Sequence, residues 1–493
     1  MIRRTSHILR HDASRVIAKP YLPGEEIATG DAGSRAGLLM ARILALPDGD
    51  VSVVLPQVLR RFARRHKQFE SLLERHFALV AHLTGDAGLS RERRLLIGAY
   101  FTSEYSVEGA ALFNPSLVPA PDQTGLAAGE QRFVMSLRAV GEGHISSIEF
   151  RTGVIDRTSA MTFEPLGGYL VTGDRAPPAH YEKRQFSAKL VELDAGNELA
   201  SAVLGRLAEH FTLAELELSL AILERDGPPH AISFETARIM RVLAASSYVT
   251  TFPADSTLSE RVIFPAGPHE THGMEDARFV RFTEDDGAVT YYATYTAFDG
   301  YEIVPQLIQT DDFVSFRIAT LNGLAAQNKG MALFPRRVKG SFVMLSRRDR
   351  ENLHLATSGT DVRHWAEVTE LHRPSRSWEL LQIGNCGSPV ETPAGWLVIT
   401  HGVGPMRRYV IGALLLDLDD PGRVIGQLRE PLLAPEGMER EGYVPNVVYS
   451  CGAMLNGDDL VLPYGLSDAA VGLAVISVPD LLAELRRSPS SRL

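Results

Sequence analysis

The feature that most limits the possible folds is a β-strand pattern that recurs through the second half of the chain. Comparable strand segments begin near residues 278, 333, 389 and 446, at intervals of 55, 56 and 57 residues. A recurring β unit of this kind is typical of propeller blades, each usually a four-stranded meander around a central channel. An earlier unit fits near Asn114-Pro115-Ser116. The pattern therefore predicts an all-β core built as a five-bladed β-propeller.

Two regions carry a helical pattern in place of the strand pattern. Apolar residues spaced three and four apart between Val54 and Leu83 predict an amphipathic helix, and a second helix is expected from about Ser90 to Thr102. Further helical patches cover about 194–225 and 233–245. We therefore expect an extended lead-in plus a helical region over residues 1–110. A propeller domain over 111–493 follows, with a helical insert at about 188–250.

Composition narrows the class of protein. The chain has 493 residues, of which 45% are hydrophobic and 22% charged, and its net charge is −10. This balance argues against nucleic acid or an anionic membrane as the main partner. There is no run of 18 apolar residues, and no apolar segment follows the basic start, so the sequence predicts neither a spanning helix nor a secretory signal. A cytoplasmic enzyme is expected.

Several common catalytic signatures are missing from the sequence. There is no G-x-S-x-G, H-E-x-x-H or phosphate-loop motif. The two cysteines, Cys386 and Cys451, do not have metal-type spacing. His269 and His272 lie near the most acidic motif as possible supporting groups. The sequence therefore predicts no metal and no cofactor.

One hairpin carries two adjacent carboxylates beside an arginine. It contains Glu275, Asp276 and Arg278 at the start of a predicted strand. Strand alternation puts Asp276 and Arg278 on one face and Glu275 on the other. Because half-buried carboxylates are costly unless paired or used, two interpretations stand here: a structural ion pair and an acid/base site.

Polar residues stand at the starts of all five predicted units, where a propeller would direct them towards its channel. They are Asn114, Asp276 with Arg278, Lys329, Ser388 with Glu391, and Asn446. Basic or hydrogen-bonding side chains lie at or near the same strands and predict an anion site. They are Lys329, Arg336, Arg347, Arg363, His401, Arg407 and Arg408. Four aromatic residues would form either the floor under a sugar ring or ordinary β core: Tyr295, Phe298, Tyr301 and Tyr464.

Six motifs resemble, in order, those of glycoside hydrolase family 130, the β-mannoside phosphorylases and their hydrolytic relatives. They cover about residues 110 to 485. The segments are Asn114-Pro115-Ser116 with Ser136-Leu137-Arg138-Ala139, Gly273-Met274-Glu275-Asp276-Ala277-Arg278, Lys329-Gly330-Met331-Ala332-Leu333-Phe334-Pro335 with Arg347, Gly395-Trp396-Leu397-Val398-Ile399-Thr400-His401-Gly402, Gly442-Tyr443-Val444-Pro445-Asn446-Val447-Val448, and Tyr464-Gly465-Leu466-Ser467-Asp468. The N-terminal helical region and the insert resemble features of the family's longer members.

The resemblance implies a five-bladed propeller that phosphorolyses β-mannosides with inversion, giving α-mannose 1-phosphate. It makes Asp276 the general acid, working through a sugar hydroxyl, and inorganic phosphate the nucleophile. The implied phosphate ligands are Lys329, Arg347, His401 and Tyr409. The implied sugar-binding residues are Asn114, Arg138, Glu275, Arg278, Tyr295 and Asp468. A short β-mannoside, possibly β-1,2-linked, is the expected substrate, and the helical segments could support a homo-oligomer.

Two departures from the family pattern keep alternatives open. Ala277 stands where proline is more common, and Gln382 stands where the phosphorylases tend to carry a lysine. The alternatives are an inverting β-mannosidase that uses water, with Glu379, Glu391 or Glu439 as base, and a non-catalytic glycan-binding propeller. Because direct contact with Arg278 would keep Asp276 ionised, we expect Arg278 to point to the network of Glu275 or to the ligand.

Overall fold

The protein is described by a computed structural model that covers residues 1–23, 34–85, 88–226 and 231–487. Strands dominate these residues, and helices are concentrated in two regions. None of the helices in these ranges is both long enough and apolar enough to cross a membrane.

The strands are numbered in chain order. They are β1 (Ile2–Arg10), β2 (Val16–Pro20), β3 (Thr102–Ser106), β4 (Ala111–Pro119), β5 (Gln131–Val140), β6 (Ser146–Ile155), β7 (Met161–Phe163), β8 (Val171–Thr172), β9 (Asp174–Ala176), β10 (Tyr181–Glu182), β11 (His210–Phe211), β12 (Tyr248–Thr251), β13 (Arg261–Ile263), β14 (Gly273–Thr283), β15 (Val289–Phe298), β16 (Ile303–Thr310), β17 (Ser315–Thr320), β18 (Ala332–Leu333), β19 (Phe342–Ser346), β20 (Leu353–Ser358), β21 (Glu367–His372), β22 (Gln382–Asn385), β23 (Val390–Thr392), β24 (Gly395–Val403), β25 (Tyr409–Leu416), β26 (Val424–Gln427), β27 (Val448–Tyr449), β28 (Met454–Asn456), β29 (Asp459–Leu466) and β30 (Ala470–Ser477).

The helices are numbered in the same way. They are α1 (Arg35–Leu44), α2 (Asp48–Phe62), α3 (Phe69–Val80), α4 (Arg91–Tyr100), α5 (Lys183–Glu192), α6 (Glu198–Gly205), α7 (Leu213–Asp226), α8 (Ala231–Ala245) and α9 (Val478–Arg487).

Most strands belong to five groups of consecutive, mainly antiparallel strands, which we call sheets I to V. Sheet I contains β4–β6 with β7 and β13, and sheet II contains β14–β17 with β12 and β9 at its outer edge. A single parallel pair, Gly273 with Ser146, joins these two sheets. Sheets III and IV contain β18–β21 and β22–β26. Sheet V contains β27–β30 and is completed by β1, which pairs antiparallel with β30.

The apolar core lies between consecutive sheets. Sheets I and II share a cluster around Phe150 and Phe279, and sheets II and III share one around Phe282. Trp396 lies in the cluster between sheets III and IV, and Leu462 in that between IV and V. Sheet V also packs on sheet I, through a cluster that includes Leu473. The inner strands, such as β24 and β29, are therefore buried and almost continuously apolar, whereas the outer strands β1, β9 and β21 are largely exposed.

The helices form two additions to this core. The helix expected between Val54 and Leu83 is interrupted: α2 ends at Phe62, and Gln68, with a φ of 50°, precedes α3. Helix α4 begins after Ser90, whose hydroxyl accepts a hydrogen bond from the amide of Arg93. Helices α5 to α8 form the insert, which contacts the connection between sheets II and III where Lys189 Nζ donates to the carbonyl of Leu321 at 3.1 Å.

Strand β1 is also tied to a loop that precedes sheet V. Arg4 Nε donates to Glu439 Oε1 at 3.1 Å and Arg4 Nη2 donates to the carbonyl of Ala434 at 2.7 Å. The hydroxyl of Tyr464 donates to the same carboxylate at 2.8 Å. The first strand of the chain thus positions a loop formed some 430 residues later.

We predict that Arg4→Ala lowers the free energy of unfolding by about 1–3 kcal/mol, since it removes charge-assisted bonds to a mostly buried carboxylate. Urea denaturation measures this loss. Arg3→Ala is the matched control, because Arg3 is exposed on the same strand and has no polar partner in the described ranges. Its effect should stay within about 0.5 kcal/mol, and equal effects of the two variants would contradict the prediction.

Candidate active site

A left-handed backbone residue occurs at or near the start of every sheet. Asn114, Asp276, Asn328, Gly387 and Asn446 have φ values of 48°, 56°, 62°, 95° and 63°. Residues other than glycine rarely adopt such φ values, and those that do are concentrated at functional sites. At Asn114 and Asp276 the bend brings together side chains from sheets I and II, whereas the side chains of Asn328 and Asn446 bond to Arg348, Arg350 and Arg440.

The bend at Asp276 interrupts strand alternation. The pairing of β14 with β15 shifts register between Glu275 and Arg278, as in a β-bulge. Arg138 Nη2 then contacts Glu275 Oε1 at 2.7 Å, and Arg138 Nη1 contacts Asp276 Oδ1 at 3.3 Å. The predicted separation of Glu275 and Asp276 onto opposite faces is therefore wrong, because alternation assumes a regular strand.

Further polar contacts complete this acidic cluster. Asn114 Nδ2 donates to Asp276 Oδ1 at 2.7 Å, and Lys329 Nζ contacts Glu275 Oε2 at 2.9 Å. Arg138 Nε donates to Ser146 Oγ at 2.8 Å, which fixes the plane of the guanidinium. Sheets I and II and the segment before sheet III thus bring these predicted site residues together.

Arg278 has a different partner from the one expected. Its Nη2 donates to the hydroxyl of Tyr449 at 2.6 Å, and its Nη1 donates to the backbone carbonyl of Asp276 at 3.4 Å. Of the two expected alternatives, the link to the network of Glu275 is not formed, because Arg138 and Lys329 occupy that carboxylate, and contact with the ligand stays a prediction. Arg278 is 2% exposed, and its Nε has no hydrogen-bond partner among the described residues.

A second cationic group lies on sheets III and IV. Arg347 Nη1 contacts His401 Nε2 at 3.1 Å, and the buried Arg347 Nε lacks a partner within the described ranges. The ring of Tyr409 stacks on His401 with centroids 6.0 Å apart, and Gln382 Nε2 approaches the Tyr409 hydroxyl at 3.4 Å. The ring of Tyr449 lies 4.8 Å from that of His401 and so connects this group with Arg278.

His401 is neutral in this environment. Burial, followed by the positive charges of Arg347 and Arg278, lowers its pKa well below the usual value. Because a guanidinium can only donate, His401 Nε2 accepts from Arg347 and the ring proton resides on Nδ1. His401 therefore orients Arg347 without adding a positive charge.

The two aspartates of the site have opposite pKa shifts. Burial alone would raise the pKa of Asp276, but Arg138, Arg278, Lys329 and the amide of Asn114 together lower it below its usual value. Burial, and then the negative charge of Asp276, raise the pKa of Asp468 to about 6 against the opposing effect of Arg138. Asp276 is thus ionised in the free protein, whereas Asp468 titrates in mildly acidic solution.

Some predicted residues lie away from the cluster. Tyr295 is 2% exposed and its hydroxyl bonds to the buried Glu270, so that it belongs to the core of sheet II. Arg336 pairs with Glu391, and Arg363 pairs with Glu182 of the insert.

The three carboxylates considered as bases are all engaged elsewhere. Glu391 pairs with Arg336 at 2.6 Å, and Glu439 accepts bonds from Arg4 and Tyr464. Glu379 is fully buried and its Oε1 accepts from the amides of Ser375 and Arg376 and from the side chain of Gln427.

Sequence reasoning missed Tyr449 and Ser146, which hold Arg278 and Arg138. Tyr449 lies three residues after Asn446, but its apolar neighbours give the pattern of ordinary core. A further group, His269, Asp299 and Glu302, has ligand atoms within 4.8 Å of one another and lies outside the acidic cluster.

Comparison with known proteins identifies the class. A family model described as β-1,4-mannooligosaccharide phosphorylase matches residues 253–487. A 1,2-β-oligomannan phosphorylase from Thermoanaerobacter sp. is 36% identical over 219 residues, which are 43% of this chain and 71% of that protein. A β-1,2-mannobiose phosphorylase from Listeria innocua is 30% identical over 237 residues, or 46% of this chain and 65% of that protein.

The chain belongs to glycoside hydrolase family 130. Among solved structures, the complex of the Listeria innocua β-1,2-mannobiose phosphorylase with β-1,2-mannobiose aligns with 78% of this chain and 94% of that one, at a TM-score of 0.45 and 22% identity.

The raised pKa of Asp468 predicts a pH-dependent effect of Asp468→Asn. The folded state binds a proton more tightly than the unfolded state, so this contribution to stability is complete below about pH 4 and is lost as the pH rises through about 6. The variant does not titrate. The free energy of unfolding of the variant minus that of the native protein should therefore be larger at pH 7.5 than at pH 4, by at most about 3 kcal/mol.

Urea denaturation at both pH values measures this difference. The exposed Asp458→Asn serves as the matched control, and it should show no comparable change with pH. A stability difference for Asp468→Asn that is the same at pH 4 and pH 7.5 would contradict the assignment.

Proposed function

We propose that this protein is an inverting β-mannoside phosphorylase. It cleaves a β-mannoside, with β-1,2-linked manno-oligosaccharides as the substrate class, by attack of inorganic phosphate and releases α-mannose 1-phosphate. The names of the two relatives support phosphorolysis and this linkage.

The observation that carries the proposal is positive charge without a carboxylate partner, on the buried Arg278 and the half-buried Arg347. Glu275 and Asp276 are matched by Arg138 and Lys329. Arg278 and Arg347 have no carboxylate partner among the described residues, and each has a buried Nε without an acceptor. A buried guanidinium without a counter-ion is costly. A phosphate dianion supplies both the missing charge and acceptors for forked arginine contacts.

The reaction requires two bond changes at the anomeric carbon. A phosphate oxygen forms a bond to C1 on one face of the sugar while the bond from C1 to the leaving oxygen breaks on the other face. A proton from Asp276, passed through a sugar hydroxyl, neutralises the leaving oxygen. Phosphate arrives as an anion, so no base is required, and the bound geometry replaces a bimolecular encounter.

Phosphate binding would also explain how Asp276, which is ionised in the free protein, becomes a proton donor. The cations near Asp276 keep its pKa low, and an anion among Arg278, Arg347 and Lys329 opposes their effect and raises the pKa. Asp276 thereby gains the proton it must donate only when the nucleophile is present. Asn114, Arg138 and Asp468 would hold the mannosyl ring beside it.

The three carboxylates considered as its base do not favour the hydrolytic alternative, since each has other partners among the described residues. An inverting hydrolase needs a second carboxyl group set back to leave room for water. Glu379, Glu391 and Glu439 are occupied by other partners. Gln382 stands in the place of a family lysine and contacts Tyr409. Because Gln382 is neutral, Arg278 and Arg347 would provide the positive charge that binds the anion.

We extend the proposal to the architecture. Five sheets that each share a core cluster with the next, the fifth packing on the first, support a five-bladed propeller. Its channel would contain the polar residues at the strand starts. Residues 1–110 would add the helical region and strand β1, and the cytoplasmic location remains a prediction from the sequence.

The direct test is incubation with β-1,2-mannobiose with and without phosphate, assaying mannose 1-phosphate and free mannose. We expect mannose 1-phosphate only when phosphate is present. Release of mannose at the same rate without phosphate would support the hydrolase. Lack of turnover of any β-mannoside would support a glycan-binding propeller.

Asp276→Asn should reduce phosphorolysis by at least about 100-fold, since a positioned acid contributes on the order of 10²–10⁴. The thermal unfolding midpoint should remain nearly unchanged, because an amide still accepts from Asn114 and Arg138. A large fall in that midpoint would indicate that Asp276 serves mainly as a structural ion-pair partner.

Arg347→Gln should raise the KM for phosphate at least about tenfold, because it removes a half-buried positive charge from the proposed phosphate site. The KM for mannobiose at saturating phosphate should change little. Arg348→Gln is the matched control, with the same loss of charge on the same loop. Equal effects of the two variants would place phosphate elsewhere.

A further inference from the structure

A solvent-facing aromatic pair borders the site. Tyr443, between β26 and β27, is 68% exposed. Its ring stacks on that of His144, with centroids 5.6 Å apart and an interplanar angle of 29°. Large apolar surface left in water costs free energy unless a ligand covers it. We call Tyr443 and His144 the aromatic platform.

The platform lies next to the side chains proposed to hold the mannosyl ring. His144 belongs to the turn between β5 and β6, and these strands carry Arg138 and its partner Ser146. Tyr443 is flanked by Val444, whose amide donates to the carbonyl of Ser467 at 3.0 Å. Ser467 directly precedes Asp468. Both residues of the platform therefore lie on segments that also contact or carry the proposed sugar-binding residues.

The backbone holds the two rings in place. His144 has a φ of 59° and follows Gly143 with a φ of 68°, so that the turn adopts a restricted conformation. On the other side, a Cβ at Gly442 would lie 2.5 Å from the carbonyl oxygen of Ser467. Glycine there permits the close approach that sets the position of Tyr443.

Other exposed apolar side chains lie on loops beside the same site. Tyr301 is 95% exposed in the β15–β16 loop, and β15 ends opposite Gly273, three residues before Asp276. Met406 is 93% exposed in the β24–β25 loop, three residues before Tyr409. Met438 is 78% exposed in the loop that also carries Tyr443. These exposed side chains could add apolar contact area for a long substrate.

We infer that the aromatic platform is a sugar-binding subsite for the leaving-group side of the substrate, and that the preferred substrates are β-manno-oligosaccharides of three or more units. The C–H face of a pyranose packs on the flat face of Tyr443, and the ring nitrogens of His144 bond to sugar hydroxyls. This inference rests on the proposed function, since it assigns the leaving group of that reaction. Contacts remote from the reacting carbon then contribute to the rate of long substrates.

The kinetic test uses Tyr443→Ala with β-1,2-manno-oligosaccharides of two to five units at saturating phosphate. We expect kcat/KM for three units and longer to fall about tenfold, and the KM for phosphate, measured separately with saturating oligosaccharide, to remain unchanged. Tyr443→Phe, which keeps the ring, should stay within about twofold of the native protein. Equal values for Tyr443→Ala and the native protein at every chain length would overturn the inference.

A binding test separates failure of this inference from failure of the proposed reaction. Titration calorimetry of β-1,2-mannotetraose is compared between Asp276→Asn and the same variant carrying Tyr443→Ala. A roughly tenfold weaker binding by the double variant supports the platform even if the native protein yields no mannose 1-phosphate. Equal affinities, or no binding by Asp276→Asn, would overturn the platform, whatever the outcome of the phosphorolysis assay.

Discussion

The contact on which the site depends is the bridge from Arg138 to Glu275 and Asp276. Adjacent residues on a regular strand point to opposite faces, so one guanidinium could not contact both. The left-handed bend at Asp276 makes the shared contact possible, and Ser146 holds the guanidinium in place. The free energy spent on the bend is offset by the charge-assisted bonds that it permits.

This bridge determines the state of the remaining cations. Because Arg138 and Lys329 neutralise the carboxylates, Arg278 and Arg347 remain without a counter-ion among the described residues. Tyr449 binds Arg278, and the neutral His401 accepts from Arg347, so both partners orient a cation without cancelling its charge. Under the proposed function, these two oriented cations would receive the phosphate.

Sequence reasoning predicted the large-scale pattern well and the local contacts poorly. The strand intervals indicated repeated β units, and the acidic motif pointed to Asp276 because two neighbouring carboxylates in a β context require a use or a partner. The prediction that Glu275 and Asp276 lie on opposite faces of the strand was wrong, because a one-residue bulge reverses the alternation of side chains. For Tyr295 the sequence left both a sugar-binding floor and ordinary β core open. Its buried hydroxyl bonds to Glu270, so the tertiary structure places it in the core.

The sequence by itself determined the family and the recurring β units, and it predicted Asp276 as the central carboxylate, since these inferences depend on residue types in order along the chain. The tertiary structure alone decided which cation meets which anion. In the sequence, Arg278 is the arginine nearest to Asp276, yet in the structure Arg138 contacts Asp276 and Arg278 binds Tyr449. That choice depends on contacts between strands more than 100 residues apart, for which local patterning carries no signal.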